Sequence, residues 1–260
     1  MKRVLVIPTL GESAWLAEAV ASASALGRDV RVVLVAPPDR VAGLLMRFSG
    51  VEVFAEKGRG LYRALNEALE SAGEWDYGSY LNDDDLLFPG AVKMPPAGAD
   101  IFYGRVDYVD GSGRRLGSFP IETSPERISA VFSAGIPGLT PQGTWISRRA
   151  YEQLGGFDAG LKYCGDFDFW RRAAERGCRF AFNTALVGAF RLRPGQLSRE
   201  REAAAAERAR VDARTASRPG SLTRALIRFR FRLRHLPLIW ERRRLTGHWR
   251  SADLFSDEGK

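Results

Sequence analysis

Four short apolar runs, separated by segments of helical period, set the strongest limit on how this chain folds. Residues 4–7 (VLVI) and 30–35 (VRVVLV) are rich in β-branched side chains, the pattern of strands covered on both faces. Between them, residues 13–26 place Trp15, Leu16, Ala19, Val20 and Ala23 at helical spacing, with Ser13 as the N-cap. Residues 51–55 read as a third strand, a helix follows over 61–71, and residues 77–81 form a fourth strand that runs into Asn82-Asp83-Asp84-Asp85. This β-α-β-α-β-α-β order predicts an open, mainly parallel sheet of the α/β class. Such sheets take ligands outside the carboxyl ends of their strands. The turns at residues 9–12 and 83–85 fall at two such ends.

The rest of the chain is less regular. Residues 101–109 and 114–119, joined by Asp110-Gly111-Ser112-Gly113, read as a hairpin. Residues 143–146 suggest another strand, and residues 166–176 a helix with Phe169, Trp170 and Ala173 on one side. Residues 179–182 return to the sheet. Beyond Ser198 the texture changes to an Ala/Arg/Glu-rich helix, a break at Pro219-Gly220, and a basic segment to about His248. The expected organisation is therefore a body over residues 1–198 and a basic helical extension over 199–260.

Charge follows the same division. The chain carries a net +8, a surplus that points towards nucleic acid, membranes or acidic substrates. Residues 1–198 hold 23 basic and 23 acidic side chains, whereas residues 199–250 hold 15 basic against 5 acidic. A neutral body thus bears a basic appendage. No window supplies the roughly 18 apolar residues that span a bilayer, and the apolar run after Lys2-Arg3 is too short for a signal peptide. Cys164 and Cys178 have neither zinc nor CxxC spacing. The expectation is a cytoplasmic protein with reduced thiols.

Two clusters carry chemistry. Asn82-Asp83-Asp84-Asp85 follows an apolar strand, and three adjacent carboxylates repel one another. They suit a hard cation, since Mg²⁺ or Mn²⁺ is held by one or two carboxylates plus substrate phosphates. A solvated acidic turn is the plainer alternative. In Gly165-Asp166-Phe167-Asp168-Phe169-Trp170, one aspartate suits a helix N-cap and the other a general base.

The order of these segments resembles glycosyltransferase family 2, inverting enzymes of GT-A fold. Val6-Ile7-Pro8-Thr9-Leu10 is similar to the family's first strand and nucleotide turn, and residues 56–66 resemble the stretch ending in Ala-x-Asn. Residues 80–85, followed by Pro89-Gly90, resemble the DxD segment, with Asn82 where many relatives carry Asp. Residues 142–147 and 154–158 resemble the acceptor-side signature. Asp166-x-Asp168-Phe169-Trp170 sits at the catalytic aspartate, and residues 190–198 close the match, with Arg193 where His is frequent. The resemblance implies a GT-A fold of the nucleotide-diphospho-sugar transferases, a Rossmann-like sheet with the basic extension appended. It further implies a Mn²⁺ or Mg²⁺ ion on Asp84 and Asp85, and a nucleoside-diphosphate sugar lined by Pro8, Thr9, Glu12, Asn82, Asp83 and Arg193. Asp166 would be the base for a saccharide or lipid-linked acceptor, in polysaccharide or glycolipid synthesis. The family's usual Asp at the end of the second strand is replaced by Val35-Ala36-Pro37-Pro38, with Asp39 nearby.

The extension has its own logic. Leu222, Ala225, Leu226, Phe229, Leu233, Leu236 and Trp240 share one helical face of residues 221–240, and Arg224, Arg228, Arg230, Arg232 and Arg234 fall largely elsewhere. A basic amphipathic helix of this kind suits an anionic membrane surface through residues 221–250, on the inner face. Packing on the body is the alternative. No nucleic-acid-binding fold accompanies the basic segment, so nucleic acid is not an expected partner. Two other readings stay open: a nucleotidyltransferase acting on a sugar phosphate, whose Gly-rich basic loop Thr9-Leu10-Gly11-Glu12 lacks, and a non-catalytic adaptor.

Overall fold

The computed structural model describes residues 1–193, 200–214, 219–250 and 253–254. Residues 194–198 of the closing motif and the 198/199 division lie outside the described residues.

The first half is the alternating unit that the apolar runs dictate. Strands β1 (Arg3–Pro8), β2 (Val30–Ala36), β3 (Glu52–Ala55) and β4 (Tyr77–Tyr80) are all parallel, in the order β3-β2-β1-β4. Helices α1 (Leu16–Ser24), α2 (Val41–Arg47) and α3 (Leu61–Ser71) lie between them in sequence. Val4, Leu5, Val6, Ile7, Val33 and Leu34 are almost completely buried, as both-face coverage requires. Helix α1 is shorter than the periodicity predicts. Trp15 precedes it, and Ser13 Oγ accepts from Trp15 N while donating to Asp83 O, so Ser13 ties the turn to the segment that follows β4 instead of capping α1.

The sheet then continues with mixed direction through β8 (Trp145–Ser147), β6 (Ile101–Val109), β9 (Phe180–Arg191) and the short β5 (Leu86–Leu87). Strand β8 is antiparallel to both β4 and β6, and β9 is parallel to β6. The expected hairpin is present, with β7 (Arg115–Ser118) antiparallel to β6. The last strand runs twelve residues instead of four, and this length delivers Arg191 to the carboxyl ends of β1 and β4. Short helices α4 (Ile128–Ser133) and α5 (Arg148–Leu154) precede α6 (Gly165–Glu175). Phe157 joins Tyr62, Tyr80, Tyr151 and Phe169 in one aromatic cluster, packing α3 and α6 on the sheet.

The final helices are α7 (Arg201–Ala213), α8 (Ser221–Arg234) and α9 (Leu236–Thr246). Phe231 and His235 turn inward, and the His235 ring lies against the carbonyls of Phe231 and Ile121, each 2.8 Å away. Arg234 pairs with buried Glu122 at 2.6 Å, Arg228 donates to Ala134 O, and Glu241 meets Arg115. No helix among the described residues is long and apolar enough to cross a membrane.

Candidate active site

A cavity of about 1260 Å³ opens at the carboxyl ends of β1 and β4. Pro8, Thr9, Glu12, Asn82, Asp83, Asp84, Asp166 and Arg193 all line it. Asp85 does not.

Parallel pairing of β1 with β4 sets the two turns side by side, and Leu81 N donates to Val6 O at 3.0 Å where the strands end. Thr9 Oγ1 then donates to Asp83 Oδ2 at 2.6 Å and accepts from Gly11 N at 2.9 Å. Glu12 is held at the rim by Arg40. The three adjacent aspartates thereby take three different positions. Asp83 and Asp84 reach the cavity, whereas Asp85 turns into the protein. Its Oδ1 accepts from Arg191 N at 2.8 Å, and its Oδ2 accepts from Asn82 Nδ2 at 2.9 Å and Gln142 Nε2 at 2.6 Å. Burial, together with the neighbouring Asp84 charge, pushes the Asp85 carboxyl upward. Burial also raises Asp83, against the lowering effect of the Thr9 hydrogen bond.

Two arginines at the end of β9 serve this turn. Arg191, fully buried, donates from Nε to Asp84 O at 2.8 Å, from Nη1 to Gly111 O at 2.9 Å and from Nη2 to Glu18 at 2.6 Å. Arg193 Nε donates to the Asp84 carboxylate. Trp15 lies under both guanidinium groups, and its Nε1 donates to Gly111 O at 2.8 Å. The tryptophan that helical spacing assigns to the core face therefore buttresses the arginines.

Asp166 is on the other wall, in the first turn of α6. Its Oδ1 accepts from Phe167 N at 2.7 Å and more distantly from the Tyr62 hydroxyl at 3.4 Å. Burial pushes its carboxyl above the ordinary range, as suits a proton acceptor. The other aspartate of the motif, Asp168, pairs with Arg172 at 2.7 Å. Gly165 passes so close to Tyr62 that a Cβ there would sit 2.6 Å from the ring, which explains glycine at the start of α6. The loop before α6 is tied down by Glu207 of α7. Its carboxylate accepts from the backbone N–H groups of Lys162, Tyr163 and Cys164 at 2.7–2.9 Å. Burial opposes the charge, yet these three bonds hold Glu207 below its ordinary pKa.

Helix α7 also lines the cavity through Ala204, Ala205 and Arg208, residues that sequence reasoning leaves among a solvated basic extension. Thr140, Gln142 and Trp170 also line it. These residues matter because buried polar groups are almost always hydrogen-bonded. Among the described residues, buried side-chain nitrogen or oxygen atoms without a partner occur in Arg3, Thr140, Gln142, Trp170, Arg208 and Arg242. Four of these six residues face this one cavity. Acceptor-capable oxygens (Thr140 Oγ1, Gln142 Oε1) and nitrogen donors (Trp170 Nε1, Arg208 Nε and Nη2) are left unsatisfied there. No cluster of three or more His, Cys, Asp or Glu side chains suited to a metal occurs among the described residues.

No protein-family model matches the sequence, and no curated protein matches it. Solved structures do. Residues 1–349 of TarS from S. aureus, in complex with UDP-GlcNAc, superpose with a TM-score of 0.62 at 16% identity, over 91% of this chain and 73% of that one. The mannosyltransferase PcManGT from Pyrobaculum calidifontis, in complex with GDP-Man and Mn²⁺, gives 0.60 at 15% identity, over 92% and 71%. At these identities the likeness establishes the fold, which is the mixed α/β architecture of the GT-A type.

Proposed function

We propose that this chain is an inverting glycosyltransferase that moves a sugar from a nucleoside-diphosphate donor to an acceptor hydroxyl. The observation that carries the reading is the cavity itself. It joins a carboxylate pair at the β4 end to a lone raised carboxylate on α6, and it concentrates the unsatisfied buried polar atoms of the fold. A site whose polar groups lack partners is built for a polar ligand. TarS and PcManGT, of the same fold, were solved with nucleotide sugars.

In this reading Pro8, Thr9, Glu12, Asn82 and Asp83 line the nucleotide end. A hard divalent ion fits the oxygen donors there: Asp83, Asp84 and the unpartnered Oε1 of Gln142, with substrate phosphates completing the set. Bound there, Mn²⁺ or Mg²⁺ supplies charge stabilisation for the departing diphosphate. Asp85 serves as the buried anchor of the turn, with its oxygens bonded to Asn82, Gln142 and Arg191. Arg193, already against Asp84, is placed to meet the diphosphate oxygens. Across the cavity, Asp166 takes the proton of the acceptor hydroxyl. That oxygen forms the new bond to the anomeric carbon from the side opposite the breaking carbon–phosphate-oxygen bond, and the nucleoside diphosphate leaves. Configuration inverts.

The test is a thermal-shift screen of uridine, guanosine, cytidine and thymidine diphosphate sugars with and without Mn²⁺. Ligand at about 100 Kd adds about 2.7 kcal/mol, which for a chain of this size is a rise of about 5–10 °C. We expect one donor class to give that rise in a metal-dependent way, and Asp84→Ala to remove it. A flat response to every nucleotide sugar would overturn the assignment.

We also place the enzyme on an anionic lipid surface, where a lipid-linked acceptor would be met. Leu222, Leu226, Phe229 and Leu233 of α8 and Leu236 and Trp240 of α9 are exposed, with Leu222 at 83%, Phe229 at 58% and Trp240 at 57%. They recur every three or four residues, on the side away from Phe231 and His235. Arg230 and Arg232 fall about 80° to either side of this stripe at the helical period, and neither has a carboxylate partner among the described residues. Like-charged flanks disfavour pairing with a second copy and match an anionic surface. Wild-type protein is expected to sediment with phosphatidylglycerol vesicles but not with phosphatidylcholine alone. Changing Leu222, Phe229 and Trp240 together to Ser should weaken binding at least about tenfold, since each side chain withdrawn from water contributes about 1.5–3 kcal/mol. Equal sedimentation of the triple variant would refute the surface.

A further inference from the structure

The nucleotide end of the cavity accounts for Asp83, Asp84 and Arg193, but it leaves the opposite wall with charge the reaction scheme does not use. Arg208, on α7, is enclosed beside Asp166 with its guanidinium over the Phe167 ring. Its Nε and Nη2 are buried and have no hydrogen-bond partner among the described residues; the nearest carboxylate oxygen, of Asp212, is 3.9 Å from Nε. That oxygen belongs to a carboxylate already committed to Arg171, at 2.5 Å. Burial lowers the Arg208 pKa to about 10, so the group stays cationic at neutral pH. On the same wall, one turn along α6 from Asp166, the Nε1 of Trp170 is a second buried donor without an acceptor. A cation whose side chain is only 24% exposed, with its Nε and Nη2 donors buried and idle, is costly in an empty protein. It becomes favourable only when an anion with several acceptor oxygens enters, for which a guanidinium offers a planar fork.

From this we infer that Arg208 and the Trp170 indole form an anion subsite beside Asp166 that takes a phosphate or carboxylate group carried by the acceptor. The proposal rests on the transferase reading above and names its substrate class: an acceptor whose attacking hydroxyl lies close to a negative charge. Position argues for the acceptor over the donor. The group next to the base is the one that loses a proton, and the diphosphate already has Arg193 and the Asp83–Asp84 side. The cation also has a second use there, since it offsets the repulsion that Asp166 would exert on an incoming anion.

The experiment uses the full chain, preloaded with the nucleoside diphosphate that binds it best, and titrates inorganic phosphate and acetate by calorimetry and thermal shift. Wild-type protein is expected to bind phosphate, acetate or both on top of the nucleotide. Arg208→Met should weaken that binding at least about tenfold, as loss of a charge-assisted bidentate contact implies, while nucleotide affinity changes less than about twofold. Arg208→Lys should retain part of it. The ligand-free Arg208→Met protein should melt at or above the wild-type temperature, because two buried donors without acceptors have been removed and Asp212 keeps Arg171; a merely structural arginine would give a lower one. Phosphate that competes with the nucleotide, or anion binding unchanged in Arg208→Met, overturns the subsite. Failure of every nucleoside diphosphate to bind would count against the transferase reading instead, and anion titration of the nucleotide-free chain would still decide the role of Arg208.

Discussion

Replacing Asp166 with Asn is expected to lower sugar transfer by about 10²- to 10⁴-fold, the usual contribution of a positioned base, with nucleotide affinity changed less than about twofold. The two carboxyl groups at the nucleotide end are untouched by this change, and the amide preserves the acceptor for Phe167 N and the Tyr62 hydroxyl. The pH profile supplies the second signature. Burial raises the Asp166 carboxyl, and a base in the proposed role acts in its deprotonated form. Wild-type turnover should therefore fall as pH drops through a value above the ordinary carboxylate range, and the residual activity of the variant should lack that limb. Stability should move the other way. A folded-state pKa above the unfolded one means that the folded protein holds the proton more tightly. The group favours folding below its unfolded pKa, and that contribution is lost as pH rises through the folded value. At neutral pH Asp166→Asn is thus expected to be at least as stable as wild type. Parallel loss of transfer and of nucleotide binding would remove Asp166 from the role of base.

A marked effect on stability is expected at a polar residue, Arg191. Its fully buried guanidinium joins Asp84 O, Gly111 O and Glu18, and so ties the end of β9 to the acidic turn, to the β6–β7 turn and to α1. Arg191→Met removes the donor to the buried Asp84 carbonyl and the partner of Glu18, while Gly111 O keeps the Trp15 indole. Taking the donor from a buried acceptor costs about 1–3 kcal/mol. Urea unfolding of the variant should show a correspondingly lower midpoint with an unchanged slope. Arg193→Met, at a side chain that is partly exposed on the cavity wall, should cost little stability while weakening nucleotide binding. If the two variants unfold alike, the division between a structural and a ligand-facing arginine fails.

These two arginines show where sequence stops being informative. Arg191 and Arg193 are two residues apart in one motif, and nothing local says that the first ends sealed in the core. The register of β9 against β6 decides it, through pairings such as Val109 with Arg191. The same holds for the aspartates: which of Asp83, Asp84 and Asp85 turns inward depends on Gln142 arriving from the turn before β8 and Arg191 from the end of β9. By contrast, the parallel half of the sheet was legible, because β-branched runs buried on both faces cannot be solvated. The turns at 9–12 and 82–85 followed from that order alone. Helices α4 and α5, of six and seven residues, are too short to set a period. Helix α7 was read only as a helix: its Arg/Glu/Ala composition looks solvated, and among its described side chains Glu207 and Val211 are the buried ones. Nothing in that composition signals that Glu207 binds a loop or that Arg208 faces a cavity.

The clasp that Glu207 places on residues 162–164 has a consequence for how the protein is made. A ribosome delivers the acidic turn and Asp166 well before residue 207, and the end of β9 shortly before it. During that interval the three N–H groups ahead of α6 have no carboxylate to receive them. The acidic turn would have its partners while the loop leading into α6 was still untethered. Synthesis order therefore sets the acidic turn first and the wall that carries Asp166 last.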